Sequence, residues 1–457
     1  MIQIFFLVMM ISFSYGGPIA FGVIIGIPPL LVWGMGRRRN YLFIFYFICI
    51  SFVIGQRTVY IGGYMRIVPA EVLLCLLALT CFFIRPQYSS QKAAVPLAAT
   101  MLAVFCIPAI FLSAAQRFYE HNLSVSFEYA QMMWMAIPSF FVCHRLVQRM
   151  ENIQNFILLL SMGALFLSFL ALAEYFHFGF IKYFGGFIVK DAAEAFDVSG
   201  FRRLGATFWG GPMVAGYLIL CFPLILAYWF NSRTMIQKIL VGVSLVLSFL
   251  TIYFSGHRGL WVAFSMAMGS YFLLKGIKGI FVLILLIGIG VSLMPQSAKK
   301  RMETLYGEKR DSSSVDREER AREAWEWIKQ NPIVGNGWGA SGLVHSDFLQ
   351  LWADAGLGAI AAFLILWFQI LRRLLVSLKK TRDKIFREYS FGFFASLFGV
   401  LFILSTQAWF NLAEQYAPFW VVMALAYQYP NIISRERGIM IARNQSASGR
   451  AEEHPHA

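Results

Sequence analysis

The sequence predicts an all-α integral membrane protein, a polytopic helical bundle of about 12–14 spans with a long helical loop on its outward face. Hydrophobic residues make up 58% of the 457 positions and charged residues only 14%. A soluble protein of this length could not cover so much apolar surface with so few charges. Apolar runs fill most of the chain, and arginines cluster where these runs end. The chain is therefore expected in a bilayer, with its polar site at one membrane face.

Apolar runs of sufficient length define the predicted spans. A span needs about 20 apolar residues, and shorter runs suffice where flanking side chains reach the interface. Fourteen segments fit this description: residues 2–15, 18–35, 41–55, 68–84, 93–113, 128–143, 155–176, 212–230, 239–254, 259–274, 279–294, 348–370, 389–410 and 417–430. Residues 2–35 are interpreted as a retained hairpin and not a cleaved leader, because the first basic cluster follows the second apolar run.

The placement of Lys and Arg sets the predicted orientation, because short loops rich in these residues stay cytoplasmic. With the N-terminus inside, 22 of the 39 Lys and Arg residues fall in cytoplasmic loops or the tail. Both termini are therefore predicted to be cytoplasmic. The net charge of +15 reflects this topology first and anionic lipid or substrate second. Nucleic acid is not an expected partner, because the chain has no soluble basic domain.

The chain divides into four predicted parts: a bundle of eleven spans (1–294), an outward loop (295–347), three final spans (348–434) and a cytoplasmic tail (435–457) that we expect to be disordered. In the loop, Ser313 and Asp316 are expected to cap a helix that ends before Pro332. A glycine-rich turn follows. It is not a phosphate-binding loop, because no strand precedes it and no Gly-Lys-Ser/Thr follows.

Charged residues at the ends of spans are the first candidate functional groups. A charged side chain near the bilayer core costs roughly 2.5–3.5 kcal/mol on insertion scales, so such residues usually have a structural or functional role. Arg202 is best explained by contact with lipid phosphate. Arg203 and Arg258 are bracketed by glycine and small residues that let another group approach, which favours a binding role.

A polar stripe follows His345. In a helix, Asp347, Gln350 and Asp354 share one face of the outermost turns. Such a stripe on an apolar helix should face a protein cavity and not lipid. The alternative is a hydrogen-bonded packing stripe between helices, with His345 an ordinary histidine at a helix start.

Four short motifs carry a family resemblance. They are Arg203-Leu-Gly-Ala-Thr-Phe-Trp-Gly-Gly-Pro212, Ser255-Gly-His-Arg258-Gly, Asn331-Pro-Ile-Val-Gly-Asn-Gly337, and His345-Ser-Asp-Phe-Leu with Ala355-Gly356. In this order they resemble the pattern of the bacterial O-antigen ligase and polysaccharide polymerase superfamily. The resemblance implies a membrane bundle, usually of twelve spans, in the bacterial inner membrane with a periplasmic site. The predicted count of fourteen departs from that number in the first hairpin.

The resemblance also implies a reaction: metal-independent, cofactor-independent transfer of a glycan from undecaprenyl pyrophosphate to an acceptor hydroxyl, with inversion. The acceptor is lipid A-core in a ligase or a growing glycan in a polymerase, and membrane lipids surround the protein. His345 is the implied catalytic base, with His257 as the fallback. Arg203 and Arg258 suit the pyrophosphate, because guanidinium groups bind developing phosphate charge with paired hydrogen bonds.

The loop helix offers a further cationic ligand. Family members tend to have a basic residue upstream of the Asn-Pro-Ile-like segment, and Arg317, Arg320 and Arg322 all qualify. The alternative for any one of them is a solvated helix face.

A transporter or flippase for the same lipid-linked glycan is the competing hypothesis. It would need polar groups along a path through the bilayer, whereas the predicted spans contain few charges, which favours an enzyme with a one-sided site. A structural scaffold would leave the arginine–glycine clusters unexplained.

Overall fold

The computed structural model describes residues 41–46, 48–49, 59–61, 65–67, 69–83, 95–117, 135–179, 211–292, 312–342, 344–407 and 416–452. Within these ranges the chain forms twelve helices of more than ten residues and one short antiparallel hairpin. The helices are α1 (Pro69–Phe83), α2 (Leu97–Arg117), α3 (Ala136–Leu146), α4 (Met150–Tyr175), α5 (Gly211–Asn231), α6 (Met235–Phe254), α7 (Arg258–Leu274), α8 (Ile277–Ser292), α9 (Ser312–Gln330), α10 (Asp347–Lys380), α11 (Lys384–Thr406) and α12 (Tyr416–Glu452). The strands are β1 (Val59–Ile61) and β2 (Met65–Ile67).

The all-α membrane class is confirmed. Five of the described helices, α4, α5, α6, α10 and α11, are long and apolar enough to cross a membrane, and each coincides with a predicted span. Shorter apolar helices occupy Val72–Phe83 and Leu97–Ser113, where two further spans were predicted. The predicted N-terminal hairpin, residues 2–35, lies outside the described residues.

Hydroxyl side chains form the contact between α4 and α6. Ser244 Oγ donates to the Ser161 carbonyl oxygen at 2.8 Å, and the hydroxyls of Ser168 and Ser248 lie 3.3 Å apart. All four residues are buried. Small residues let helix backbones approach closely, and interhelical hydrogen bonds add to the packing where lipid gives no hydrophobic driving force.

Helix α11 packs against α5 and α7 through glycines. A methyl group added at Gly399 would lie 2.6 Å from Ala267 Cβ on α7, and one at Gly392 would lie 3.0 Å from the Pro223 carbonyl oxygen on α5. Both sites lack room for a side chain. Helix α11 therefore packs closely against α7 at Gly399 and against α5 at Gly392.

An ion pair is buried where α7 and α11 meet at their basic end. Lys275 Nζ lies 2.9 Å from Glu388 Oε2, and Tyr271 donates its hydroxyl to the same oxygen at 2.8 Å. The Lys275 ammonium also lies 3.8 Å from the ring centroid of Phe230. The carboxylate of Glu388 is thus satisfied although it is buried.

The expected disorder of the tail is wrong for residues 435–452. Helix α12 continues through Pro430 to Glu452. Arg435 donates to the Gln148 carbonyl oxygen at 3.1 Å, and the Met150 amide donates to Glu436 at 3.3 Å. These contacts hold the start of the tail against the loop before α4 and support its helical structure. Amino-acid composition alone does not reveal such contacts.

Candidate functional site

Helix α9 lies on α10 with one face covered. Ala324 and Ile328 are buried, while Arg317 and Arg320 are half-buried on the preceding turns of the same face. Arg322 is exposed. The predicted loop helix is confirmed, and it ends at Gln330, two residues before Pro332. Of the three loop arginines, the fold turns Arg317 and Arg320 toward neighbouring protein and leaves Arg322 in solvent.

The expected cap of this helix differs from the structure. The described part of α9 begins at Ser312, so Ser313 lies inside the helix. Asp316 instead accepts a hydrogen bond from Arg320 Nε at 3.2 Å, one helical turn along. The carboxylate predicted to cap the start of the helix therefore lies on the side of the helix.

The segment after α9 crosses the first turns of α10 with its backbone. The amides of Asn336 and Gly337 donate to the carbonyl oxygens of Ala353 and Asp354, at 2.9 and 3.0 Å. The Leu357 amide donates back to the Pro332 carbonyl oxygen at 2.9 Å. Carbonyl groups freed by the break in α10 thus find partners in the crossing segment.

Gly356 makes this crossing possible. Its φ of +79° and ψ of −178° interrupt α10. A Cβ atom there would collide with the carbonyl oxygen of Ile333. Glycine alone avoids both the steric penalty of this backbone conformation and the collision. The Ala355-Gly356 pair and the Asn331–Gly337 motif, which are separate motifs in the sequence, therefore contact each other in the fold.

Trp338 anchors the crossing segment to α2. Its side chain is 2% exposed, and its amide donates to the Ala109 carbonyl oxygen at 3.4 Å. Ser113 Oγ donates to the Trp338 carbonyl oxygen at 3.0 Å. The glycine-rich turn is consequently held between α2 and α10.

Asp354 and Gln350 hold the remainder of this turn. Asp354 accepts from the Gly339 amide at 3.0 Å, from the Ser341 hydroxyl at 2.7 Å and from Gln350 Nε2 at 2.7 Å. Gln350 Oε1 accepts from the Val344 amide at 2.9 Å. Both side chains are buried. Two members of the predicted polar stripe therefore bind the loop that leads to His345.

His345 lies between this loop and α9. It precedes α10 by two residues, and Asp347, at the first helical position, is fully buried. His345 Nε2 lies 3.9 Å from Asp316 Oδ2, and the imidazole side chain is 26% exposed. Solvent or a ligand can reach the ring, while the loop fixes its backbone.

The surroundings keep His345 neutral. Burial lowers the pKa of His345 below its usual value, and the charge of Arg317 lowers it further. Asp316 opposes this by raising the pKa of His345, and Arg320 adds to the lowering. A neutral imidazole can accept a proton, which is what a general base requires.

Arg258 and His257 lie at the start of α7. His257 occupies the N-cap position and is 8% exposed, and Arg258 is the first helical residue and half-buried. A methyl group at Gly259 would lie 3.2 Å from Gln407 Nε2. Since α10 runs away from His345 and α11 runs back to Gln407, the start of α7 lies at the same end of the bundle as His345.

The predicted residues thus fall into three groups. His345 lies with Arg317 and Arg320 at α9, and Arg258 lies at α7 at the same end of the bundle. Arg203 lies outside the described residues. Within the described ranges, no three His, Cys, Asp or Glu side chains form a group that could hold a metal ion.

Sequence reasoning missed the role of Asp316 beside His345. The two residues are 29 positions apart, and only the packing of α9 on the start of α10 brings them together. The sequence also did not predict a role for Ser341, although it did predict the polar stripe whose Asp354 and Gln350 bind Ser341. A search for loop hydroxyls near that stripe could have found it.

A known protein family matches this same region of the chain. Residues 243–364 match the family model described as O-antigen ligase. This segment is similar to the O-antigen ligase family. It includes α7, α8, α9, His345 and the start of α10. Three of the four motifs lie within it, and the resemblance is confirmed for these three. No curated protein matches the chain. This match supports membrane glycan processing, with a lipid-linked glycan and an acceptor as the general substrates.

Proposed function

We propose that this protein transfers a glycan from undecaprenyl pyrophosphate to an acceptor hydroxyl at the periplasmic face of the bacterial inner membrane. The observation that carries the proposal is the placement of His345 opposite Asp316, Arg317 and Arg320 within the segment that matches the O-antigen ligase family. A basic imidazole and guanidinium groups are the two components that such a transfer needs.

His345 acts as the base in this proposal. The acceptor oxygen attacks the anomeric carbon while the bond from that carbon to the phosphate oxygen breaks. The hydroxyl proton passes to the imidazole, and the pyrophosphate leaves with the bonding electron pair. Attack opposite the leaving group inverts the anomeric centre. The lowered pKa of His345 supports this role, because the ring is then unprotonated near neutral pH. His257, at the N-cap of α7, remains the fallback.

The arginines receive the charge that grows on the pyrophosphate. Arg258, at the start of α7, and Arg203 are the proposed ligands, and Arg317 is favoured over Arg322 as a third because it lies on the covered face of α9. Fixed guanidinium groups at the membrane surface stabilise such charge without metal. No cofactor enters the proposed reaction.

The decisive experiment uses the purified protein in proteoliposomes with undecaprenyl pyrophosphate-linked repeat units, with and without lipid A-core. Gel analysis of the products separates the two acceptor classes. Glycan that lengthens on the carrier alone indicates a polymerase, and glycan that appears on the core only when core is supplied indicates a ligase. Transport of the lipid-linked glycan without any new glycosidic bond would contradict the proposal and favour the transporter.

Matched variants test the residues. His345→Asn should reduce transfer roughly 10²–10⁴-fold, the contribution of a positioned general base. Arg258→Gln, Arg203→Gln and Arg317→Gln should each reduce it about 100-fold, as expected for loss of one charge-stabilising group. Arg202→Gln and Arg322→Gln are the controls and should retain most activity. Equal losses in the controls, or full activity in His345→Asn, would refute the assignment.

A further inference from the structure

A polar cavity lies at the opposite end of α10 from His345. Its volume is about 590 Å³, and it opens between the start of α2, the last turns of α10 and the middle of α12. Arg372, the first cation of α10 to line it, follows Asp347 by 25 residues. At a rise of about 1.5 Å per residue this separates the cavity from the candidate site by roughly 37 Å, so the two are distinct.

The lining of this cavity is strongly cationic. Arg372, Arg373, Lys380 and Arg437 line it, and none of the described lining residues is acidic. Arg373 has partners, since it donates to Asn431 Oδ1 at 2.7 Å and its guanidinium lies 4.1 Å from the Tyr427 ring centroid. In the described part of the chain, no carboxylate forms an ion pair with the other three cations. An anion in the cavity would supply the missing negative charge.

A buried hydroxyl points to the same conclusion independently. Thr381 is the C-cap residue directly after α10, lines the cavity and is 3% exposed. Its Oγ1 has no hydrogen-bond partner among the described residues. A buried hydroxyl without a partner is costly, so such a group usually faces a ligand or bound solvent. Ser377, one turn earlier, is buried and also lines the cavity.

The apolar surroundings indicate that the anion belongs to a lipid. Leu97 and Val376 line the cavity and are 68% and 42% exposed. On α10, Phe368 is 66% exposed and lies on the same face as Arg372 and Val376, at successive intervals of four residues. Acyl chains would cover this apolar face, and the headgroup would then meet the cations at its end.

We propose that this cavity binds the phosphate headgroup of an anionic phospholipid. Its guanidinium and ammonium groups bind the phosphate oxygens, and the hydroxyls of Thr381 and Ser377 donate to the same group. The positive-inside distribution explains why cations accumulate at this end of the bundle. It does not explain a concave site with a buried, unpartnered hydroxyl.

The test is native mass spectrometry of the full-length protein released from nanodiscs that contain phosphatidylglycerol, phosphatidylcholine or both. The intact protein should retain phosphatidylglycerol in preference to phosphatidylcholine. The triple variant Arg372→Gln/Lys380→Gln/Arg437→Gln should bind it at least tenfold more weakly, because each lost charge-assisted contact is worth roughly a factor of ten. The control triple Lys379→Gln/Arg382→Gln/Lys384→Gln removes equal charge from exposed positions nearby and should bind normally.

Two further experiments identify the source of the phosphate and detect any misfolding of the variants. Thr381→Val, which preserves shape, should weaken phosphatidylglycerol binding severalfold while leaving the unfolding temperature within a few degrees. Inorganic phosphate at millimolar concentration should not displace the lipid. Equal weakening by both triples, displacement by free phosphate, or no preference for the anionic lipid would each overturn the proposal.

Discussion

At the residue scale, the environment of His345 links electrostatics to catalysis. Burial, Arg317 and Arg320 lower the pKa of His345, and Asp316 alone among the named neighbours raises it. The proposed base form therefore predominates over more of the acidic range than it would for an exposed histidine. Substitution of Asp316 can therefore shift the protonation equilibrium of His345 without changing His345 itself.

Asp316→Asn should shift the acidic limb of the transfer rate to lower pH. The substitution removes the one charge that raises the pKa of His345, so the ring stays neutral further into the acidic range. Arg317→Gln should move the limb the opposite way, in addition to its lower rate. The measurement is the pH dependence of single-turnover transfer in proteoliposomes.

Glu319→Gln serves as the control for this shift, because Glu319 is exposed on the same helix and does not perturb His345. It should leave the pH profile unchanged. An acidic limb that stays in place or rises in Asp316→Asn would mean that another group controls the protonation step.

Asp354 is predicted to act as a positioning residue. Asp354→Ala leaves the Gly339 amide and the Ser341 hydroxyl without their acceptor, which costs about 1–3 kcal/mol for each buried group left unpaired. The turn should then open more often, and chymotrypsin should cleave after Trp338 at least tenfold faster. Glu326→Ala, at an exposed site of α9, is the control. Unchanged cleavage with normal transfer would exclude this role.

At the element scale, the break in α10 organises the site. Gly356 separates the first turns of α10 from the remainder, and the crossing segment 331–337 occupies the gap. The backbone of the loop is thereby fixed by α10 itself. A fixed loop presents His345 and α9 in one arrangement, which a site for two large substrates requires.

Gly356→Ala should destabilise the protein by about 2 kcal/mol or more, because strained backbone and a collision with the Ile333 carbonyl oxygen occur together. Gly342→Ala is the matched control: φ is +68° there, but nothing lies within 4 Å of the added methyl group. It should cost only about 1 kcal/mol. Thermal unfolding in detergent measures both, and equal shifts would show that the crossing contributes nothing.

The elements themselves could largely be predicted from sequence. Apolar run length identified α4, α5, α6, α10 and α11, because a bilayer imposes a minimum length on any span. Pro332 likewise predicted the end of α9. The continuation of α12 past Arg435 could not be predicted, because it depends on contacts with Gln148 and Met150, nearly 300 residues earlier.

The candidate site was predictable in part for the same physical reason. Charges and small residues next to spans indicated Arg258, since charged residues are costly in a membrane protein. The family resemblance indicated His345. The contact of Ser113 with Trp338 joins residues 225 positions apart, and no local pattern encodes it. Loop docking is a tertiary property, so sequence indicated the chemical groups but not their arrangement.

At the scale of the whole molecule, the polar groups divide between two ends. The loop, His345 and the start of α7 lie at one end, and the cationic cavity with the Lys275–Glu388 pair lies at the other. The middle is a continuous buried apolar core. The predicted orientation would place the basic end in the cytoplasm, and this remains a prediction.

Single-cysteine labelling should reveal that orientation. All six native thiols are free, and five are buried, so their background reaction should be low. A membrane-impermeant maleimide added to intact spheroplasts should label Gly342→Cys but not Arg382→Cys, both at exposed positions. Arg382→Cys should react only after permeabilisation. The reverse pattern would invert the predicted topology.

The backbone crossing at Gly356 also has a consequence for how such a protein diversifies. Main-chain hydrogen bonds hold residues 331–337, whereas the side chains of Ile333 and Val334 are 72% and 48% exposed. Selection can therefore exchange these two side chains without disturbing the loop that supports His345. We expect acceptor preference to evolve first at Ile333 and Val334, where a substitution costs little folding stability.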